Sequence, residues 1–361
     1  MKVQLAENEG SLSTQQGVSM KNRLDSVEAL RDAVALRAGL IDHRVAHPDA
    51  SVLATSDSNL LRQLAIACVS SDVRAANPAG AFGRGLGSDD FKNVLSDVLR
   101  SATVGKLTAQ ARHRAFCDVR RLKSFMPHDF PSADIDISLV ELAEGGEAPS
   151  IEVRDSAGLS ARIRTWGRDV NVSREVVLND DVGLLVSLAA NAGASAARLE
   201  ASLCYELLES NPVLGDGETL FHTDHGNVVN GALDEANFFA ALAALRDQRT
   251  PAGIAADLDA RFLVVASGIE GLARKLLHSA GIAEISVIAS AAVPPGRWYL
   301  LADPAQAPVI ALLRLEGSSA GVLVGPVSRR DSAVTDGVLL GVRFDVGAAA
   351  VGRVGAVRGG A

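Results

Sequence analysis

The sequence predicts an α+β chain with an elongated outline. Three observations carry this: one long helical pattern from about residue 180 to residue 210, a pair of short alternating runs that read as a hairpin, and strand and helix signals that alternate after Pro212. At 1.5 Å per residue the helix would be about 45 Å long, more than a compact domain of this size requires. With 361 residues the chain has room for one large domain or two to three smaller ones.

Residues 1 to about 20 are polar and read as a flexible tail. Leu24, Val27, Leu30 and Val34 then recur at helical spacing, with Asp25 and Glu28 near the start, where the helix dipole favours them. A second short helix is expected over residues 59–69, through Leu60, Leu61, Leu64 and Cys68. The two carry too little apolar surface to stand alone. Residues 77–90, rich in Gly and Pro, read as a linker at the main boundary. Gly83, Gly85 and Gly87 lack the spacing of a dinucleotide-binding loop, and no strand precedes them. Ser88 to Asp90 should cap a helix through Val94, Leu95, Val98 and Leu99.

From Asp134 the pattern turns to strands, with Ile135, Ile137 and Leu139 alternating against polar neighbours. Residues 151–154 and 161–166 are two alternating runs around a turn containing Gly158, a hairpin signal. Both are charged and bury little, which suits a projection that packs on a neighbouring chain. Asn179, Asp180 and Asp181 are N-cap candidates for the long helix, whose apolar stripe is read as Leu185, Leu188, Ala192, Ala196, Leu199, Leu203 and Leu207. Gly193 and Ala197, among other small residues, should let backbones approach closely along its middle. After Pro212 come a helix through Phe238, Leu242 and Leu245, a strand over 262–266, a helix over 269–277, and strands over 285–288 and 298–302. A strand pair, 309–315 with 338–344, precedes a tail of small residues.

The hydrophobic share is 48% and the aromatic share only 4%, so the core must be aliphatic. A formal charge of −8 is wrong for a protein that grips nucleic acid through clustered phosphate contacts. Cys68, Cys117 and Cys204 are odd in number and far apart, fitting neither a disulfide framework nor a zinc knuckle; packed thiols are expected. No run of about 20 uninterrupted apolar residues suggests a membrane span. The N-terminus lacks a signal peptide's apolar stretch, so synthesis and use in the cytoplasm are expected.

One dense polar constellation stands out, residues 221–227. His222, Asp224 and His225 are possible metal ligands, which would suit a metal-dependent hydrolase. They also sit in a Gly/Asn turn, where such side chains ordinarily hold backbone groups, and no second cluster completes a site. The expectation is a structural or interface turn, with no cofactor and no catalytic residues.

Several segments, taken in order, resemble the Mu-like major head protein group of tailed phages, often encoded as the C-terminal part of a prohead protease and capsid fusion. They are residues 144–147 (Glu-Gly-Gly-Glu), Arg174 with Asn179-Asp180-Asp181, residues 197–200 (Ala-Arg-Leu-Glu), residues 220–227, Trp298-Tyr299-Leu300 with Ala302-Asp303-Pro304, and residues 336–350. The resemblance runs from about residue 88 to the C-terminus. It implies the tailed-phage major capsid fold: an N-terminal arm, an extended hairpin called the E-loop, a peripheral domain with a long spine helix, and an axial domain. Mapped here, residues 1–87 are a tail and a scaffolding-like or linker segment, 88–140 the arm and the start of the peripheral domain, and 141–168 the E-loop. Residues 169–211 hold the peripheral domain with its spine, 212–325 the axial domain, and 326–361 strands returning to the peripheral domain.

The implied function is self-assembly into pentamers and hexamers that close an icosahedral shell around double-stranded DNA, with no sequence-specific binding and no membrane. Portal, scaffolding or prohead protease and decoration proteins are implied partners; the virion is the destination and the bacterial cytoplasm the place of assembly. An encapsulin-like compartment or a gene-transfer particle is the alternative within the fold. Arg154, Arg162, Arg164 and Arg168 in the hairpin are expected at the assembly interface, and Arg174, Asn179, Asp180, Gly193 and Ala197 in structural roles. Some shells of this fold weld subunits through an E-loop lysine, yet no lysine occurs between Lys123 and Lys275.

Overall fold

The structure, a computed structural model, describes residues 26–56, 59–130, 160–179, 182–250, 253–317, 320–326 and 337–360. Helix α1 covers residues 26–37. It is followed by α2 (Ala50–Thr55), α3 (Leu60–Ala67), α4 (Ser71–Ala76), α5 (Pro78–Gly87) and α6 (Asp89–Gln110). Strands β1 (Asp118–Leu122), β2 (His128–Asp129), β3 (Ser160–Ala161) and β4 (Arg164–Ser173) lead to α7 (Arg174–Leu178) and the 29-residue α8 (Val182–Ser210). Then come β5 (Val228–Val229), α9 (Glu235–Asp247), β6 (Ala260–Ala266), α10 (Glu270–Ser279), β7 (Ser286–Ser290), β8 (Trp298–Ala302), β9 (Ile310–Leu315), β10 (Val322–Pro326), β11 (Gly337–Ala350) and β12 (Ala356–Gly359). The expected mixture of helix and sheet is present.

The chain divides into two compact units, one drawn from residues 1–108, 166–195 and 322–344, the other from 109–165, 196–321 and 345–361. In the first, α1, α3, α5 and α6 share one core, built on Val34, Leu61, Leu64, Phe82, Phe91 and Leu95, with Val177 and Leu185. The expected linker at 77–90 is therefore helix, inside one unit, and no boundary falls there. Asn77 Oδ1 accepts from the Gly80 N–H at 2.9 Å, Pro78 occupies the first turn, and Ser88 ends the helix. Gly85 is consumed by packing: a Cβ there would lie 2.5 Å from the Ala65 carbonyl carbon of α3. The helix expected within the arm, α6, buries Phe91, Leu95, Val98, Leu99, Ala102, Thr103 and Leu107 and is a core element of this unit.

The second unit contains a five-stranded sheet in the order β5-β12-β8-β6-β7. One face carries Leu263, Val265, Trp298, Leu300 and Val357 against α9 and α10, through Phe238, Leu245, Ala273 and Leu277. Pairings Val264↔Tyr299 and Tyr299↔Arg358 put those three residues on the opposite face. A second sheet joins β1 in parallel to β9, and β9 antiparallel to residues 346–350 of β11.

Three strand expectations are corrected. Residues 340–344 pair with β10, not with 309–315, which pair with the small-residue stretch after Phe344. The tail of small residues contains β12, an interior strand. The run 161–166 is not a free projection: at its start β3 pairs with β2, and Ile163 is buried with Phe130, Leu313 and Val351. Residues 151–154 lie outside the described residues.

Candidate functional site

Helix α8 ends where Asn211 turns into the left-handed region (φ 48°), ahead of Pro212. Its side chain clamps the backbone of Phe221 twice: Nδ2 donates to the carbonyl at 3.1 Å, and Oδ1 accepts from the N–H at 2.6 Å. Asn227, fully buried, holds the other end, accepting from the His222 N–H at 3.0 Å and donating to the Leu220 carbonyl at 2.8 Å. Two asparagines thus fix the turn that the sequence singled out.

His222 Nδ1 accepts from the Asp224 N–H at 3.3 Å, and Nε2 lies 3.3 Å from Glu218 Oε2. His225 belongs to a separate pair, with Nε2 3.0 Å from Asp216 Oδ2. Glu218, His222 and Asp224 could offer ligand atoms within 4.8 Å of one another, without His225. Glu218 and Asp224 meet opposite nitrogens of the one imidazole, however, and those nitrogens already serve as cap acceptor and ion-pair partner. The arrangement orders a turn; the expected trio is not assembled as one ligand set.

Glu200 is the site residue that sequence reasoning missed. Its carboxylate, wholly buried in α8, meets the Arg114 guanidinium at 2.8 Å, His113 Nε2 at 3.1 Å and the Arg314 guanidinium. Burial raises its pKa, but the His113 hydrogen bond and the two arginine charges outweigh this and hold it below the usual carboxylate range. One turn further on, Cys204 Sγ lies 3.5 Å from Cys117 Sγ, both buried, and that contact together with burial pushes the Cys117 thiol up. The signal was present: Gly193, Ala197, Glu200 and Cys204 follow helical spacing, so Glu200 lies on the small-residue stripe. That stripe, not Leu188, Leu199, Leu203 and Leu207, is the buried one; Leu188 is 41% exposed.

Of the other expected structural residues, Gly193 faces α6 so closely that a Cβ would lie 3.0 Å from the Thr103 carbonyl carbon and 3.1 Å from the Leu107 nitrogen. Ala197 is buried, and Arg174 stacks its guanidinium 5.9 Å from the Phe82 ring. Asn179 is a C-cap, closing α7, instead of the expected N-cap of α8. Asp180 lies outside the described residues, as does Arg154. Arg162, Arg164 and Arg168 are exposed, in or beside β4, and no side-chain hydrogen bond or ion pair ties their guanidiniums to another described residue.

By length and composition alone α8 could cross a membrane. A buried, ion-paired Glu200 argues for a protein interior instead.

No curated protein sequence matches the chain. Among solved structures it is similar to a virus-like particle from Pyrococcus furiosus, at 14% identity and a TM-score of 0.46 over 73% of this chain and 97% of that one. It is also similar to the capsid of cyanophage P-SCSP1u, at 9% identity and TM-score 0.45 over 69% and 88%. A third likeness is the SrpI encapsulin complex from Synechococcus elongatus, at 11% identity and TM-score 0.43 over 70% and 88%. A family model described as phage capsid protein matches residues 157–359, which take in the asparagine-clamped turn, Glu200 with Arg314, and the whole β5-β12-β8-β6-β7 sheet. The chain belongs to the phage capsid protein family, a subunit that associates with copies of itself to form a shell.

Proposed function

We propose that this subunit is the major capsid protein of a tailed phage or prophage, assembling as pentamers and hexamers around double-stranded DNA in the bacterial cytoplasm. The family match over 157–359 carries this reading. The charge of −8 supports a wall that encloses nucleic acid without gripping it. Portal, scaffolding or prohead protease and decoration proteins are the partners such assembly uses.

Within the lattice, residues 141–168 serve as the E-loop and residues 212–325 as the axial domain. Arg162, Arg164 and Arg168 reach carboxylates of neighbouring copies, since an exposed guanidinium without a partner among the described residues is suited to form a bidentate pair with one. The test is microscopy and nuclease treatment of particles from cells expressing the full chain. Closed shells with protected DNA are the expected result. Shells that carry an enzyme and no DNA indicate a cargo compartment, and absence of particles refutes the proposal.

A further inference from the structure

On the sheet face opposite α9 and α10, Arg297 precedes β8 by one residue and Arg358 sits in β12 across from Tyr299. Spacing and pairing put Arg297, Tyr299 and Arg358 on that same face. The nearby carboxylate is Glu209, at the end of α8. Its Oε1 is taken by the Tyr299 hydroxyl, which donates at 2.6 Å, and its Oε2 stays 3.8 Å from Arg297 Nε. Among the described residues, two guanidiniums thus share one carboxylate, an excess of one positive charge. The Nε–H of Arg297 and that of Arg358 are both buried and find no acceptor among the described residues. The Arg358 guanidinium carbon also lies over the Phe221 ring, 5.3 Å from its centre.

Buried N–H donors left without acceptors are costly, and two like charges side by side are costlier still. Burial first, and the Arg297 charge second, pull Arg358 below the ordinary arginine range, against the opposing pull of Tyr299 and Glu209. The side chains of Arg297 and Glu209 keep 22% and 23% of their surface, so the cluster borders solvent. Guanidinium forks match the paired oxygens of carboxylates and phosphates.

We infer that Arg297 and Arg358 form an oxyanion site, filled by a carboxylate of a second copy or by free phosphate. Glu209 tunes it by partly neutralising the pair, and Tyr299 holds Glu209 in place.

The test is the thermal midpoint of the unassembled full chain, titrated with inorganic phosphate at constant ionic strength. The midpoint should rise saturably in the wild type and stay flat in Arg297→Gln and Arg358→Gln. Glu209→Gln keeps an oxygen acceptor for Tyr299 but removes the competing charge, and should bind phosphate several-fold more tightly. It carries the test by itself if the arginine variants do not fold. No response in the wild type, an equal response in the arginine variants, or unchanged affinity in Glu209→Gln overturns the inference. Repeating the titration on shells, the one arm that rests on the capsid reading, separates the two sources. A response lost on assembly identifies a neighbour's carboxylate, and one retained identifies a free oxyanion.

Discussion

Replacing Gly193 by alanine tests the close approach of α8 to α6. Ordinary contact for a Cβ begins near 3.4 Å, yet here the Thr103 carbonyl carbon would stand at 3.0 Å and the Leu107 nitrogen at 3.1 Å, with the Thr103 carbonyl oxygen closer still. All three obstacles are backbone, so no side chain can swing aside. The helices are also tied at this level: the Thr103 hydroxyl lies 3.1 Å from the Ala189 carbonyl oxygen as well as 2.8 Å from that of Leu99. Overpacking costs about 1–3 kcal/mol, and a rigid obstacle argues for the upper half of that range. Alanine returns about 0.8–1 kcal/mol in helix propensity, leaving a net loss of about 1–2 kcal/mol. Gly105, on α6, supplies the control: it is exposed and faces open space, so Gly105→Ala should gain about 0.5–1 kcal/mol. Urea unfolding of the two variants measures the difference, expected at about 1.5–3 kcal/mol. Gly193→Ala as stable as Gly105→Ala would refute the close-packing argument, and Gly193→Leu should be worse than either.

Three further predictions concern the second unit and the shell. Glu200→Gln leaves Arg114 and Arg314 facing a neutral group and should cost about 3–5 kcal/mol by denaturant titration. Because the folded-state pKa of Glu200 is depressed, its contribution is complete above the unfolded carboxylate value of about 4.3 and is lost as pH falls through the folded value. Stability of the wild type should therefore fall more steeply with acid than that of Glu200→Gln; parallel curves contradict the assignment. Replacing His222, Asp224 and His225 together by Ala should impair folding or assembly, whereas chelators should leave wild-type shells intact; shells lost to chelation alone would overturn the structural reading. Shells boiled in detergent should run as single monomers, because residues 141–168 hold no lysine to act as an amine nucleophile, and a ladder of covalent multimers would disprove this.

The helices were legible where capping and periodicity agreed. Asn59 accepts from the Arg62 N–H, Ser88 caps α6, Asp234 caps α9, and the expected end of α8 near Ser210 is met. What escaped were places where small residues serve contact instead of flexibility. Gly85 was read as linker and lies against α3; Gly347 and Gly359 were read as tail, yet a Cβ on the first would strike the Arg162 backbone and one on the second the Trp298 ring. Glycine's composition signal is the same in a loose turn and in a tight crossing, so only the partner surface tells them apart. Strand β1 was invisible for another reason: Asp-Val-Arg-Arg-Leu is an edge strand, and charge on an edge is what keeps it from pairing further. For the site, the turn at 221–227 was visible from its polar density, whereas the Asn211 clamp was not, and the Glu200 hub needed His113, Arg114 and Arg314, which no local pattern joins.

The place of β12 in its sheet carries a consequence for timing. It lies between β5 and β8, yet its residues come after all the others of that sheet in the chain. While a ribosome is still making residues 356–359, β8 has an open edge, and Trp298, Leu300 and the faces of α9 and α10 around Val357 are incompletely covered. Such long-range closure is slow and aggregation-exposed. Until residues 356–359 are in place, the second unit therefore offers its neighbours an unfinished sheet, so the strand made after all its sheet partners decides when that unit is ready for a neighbour.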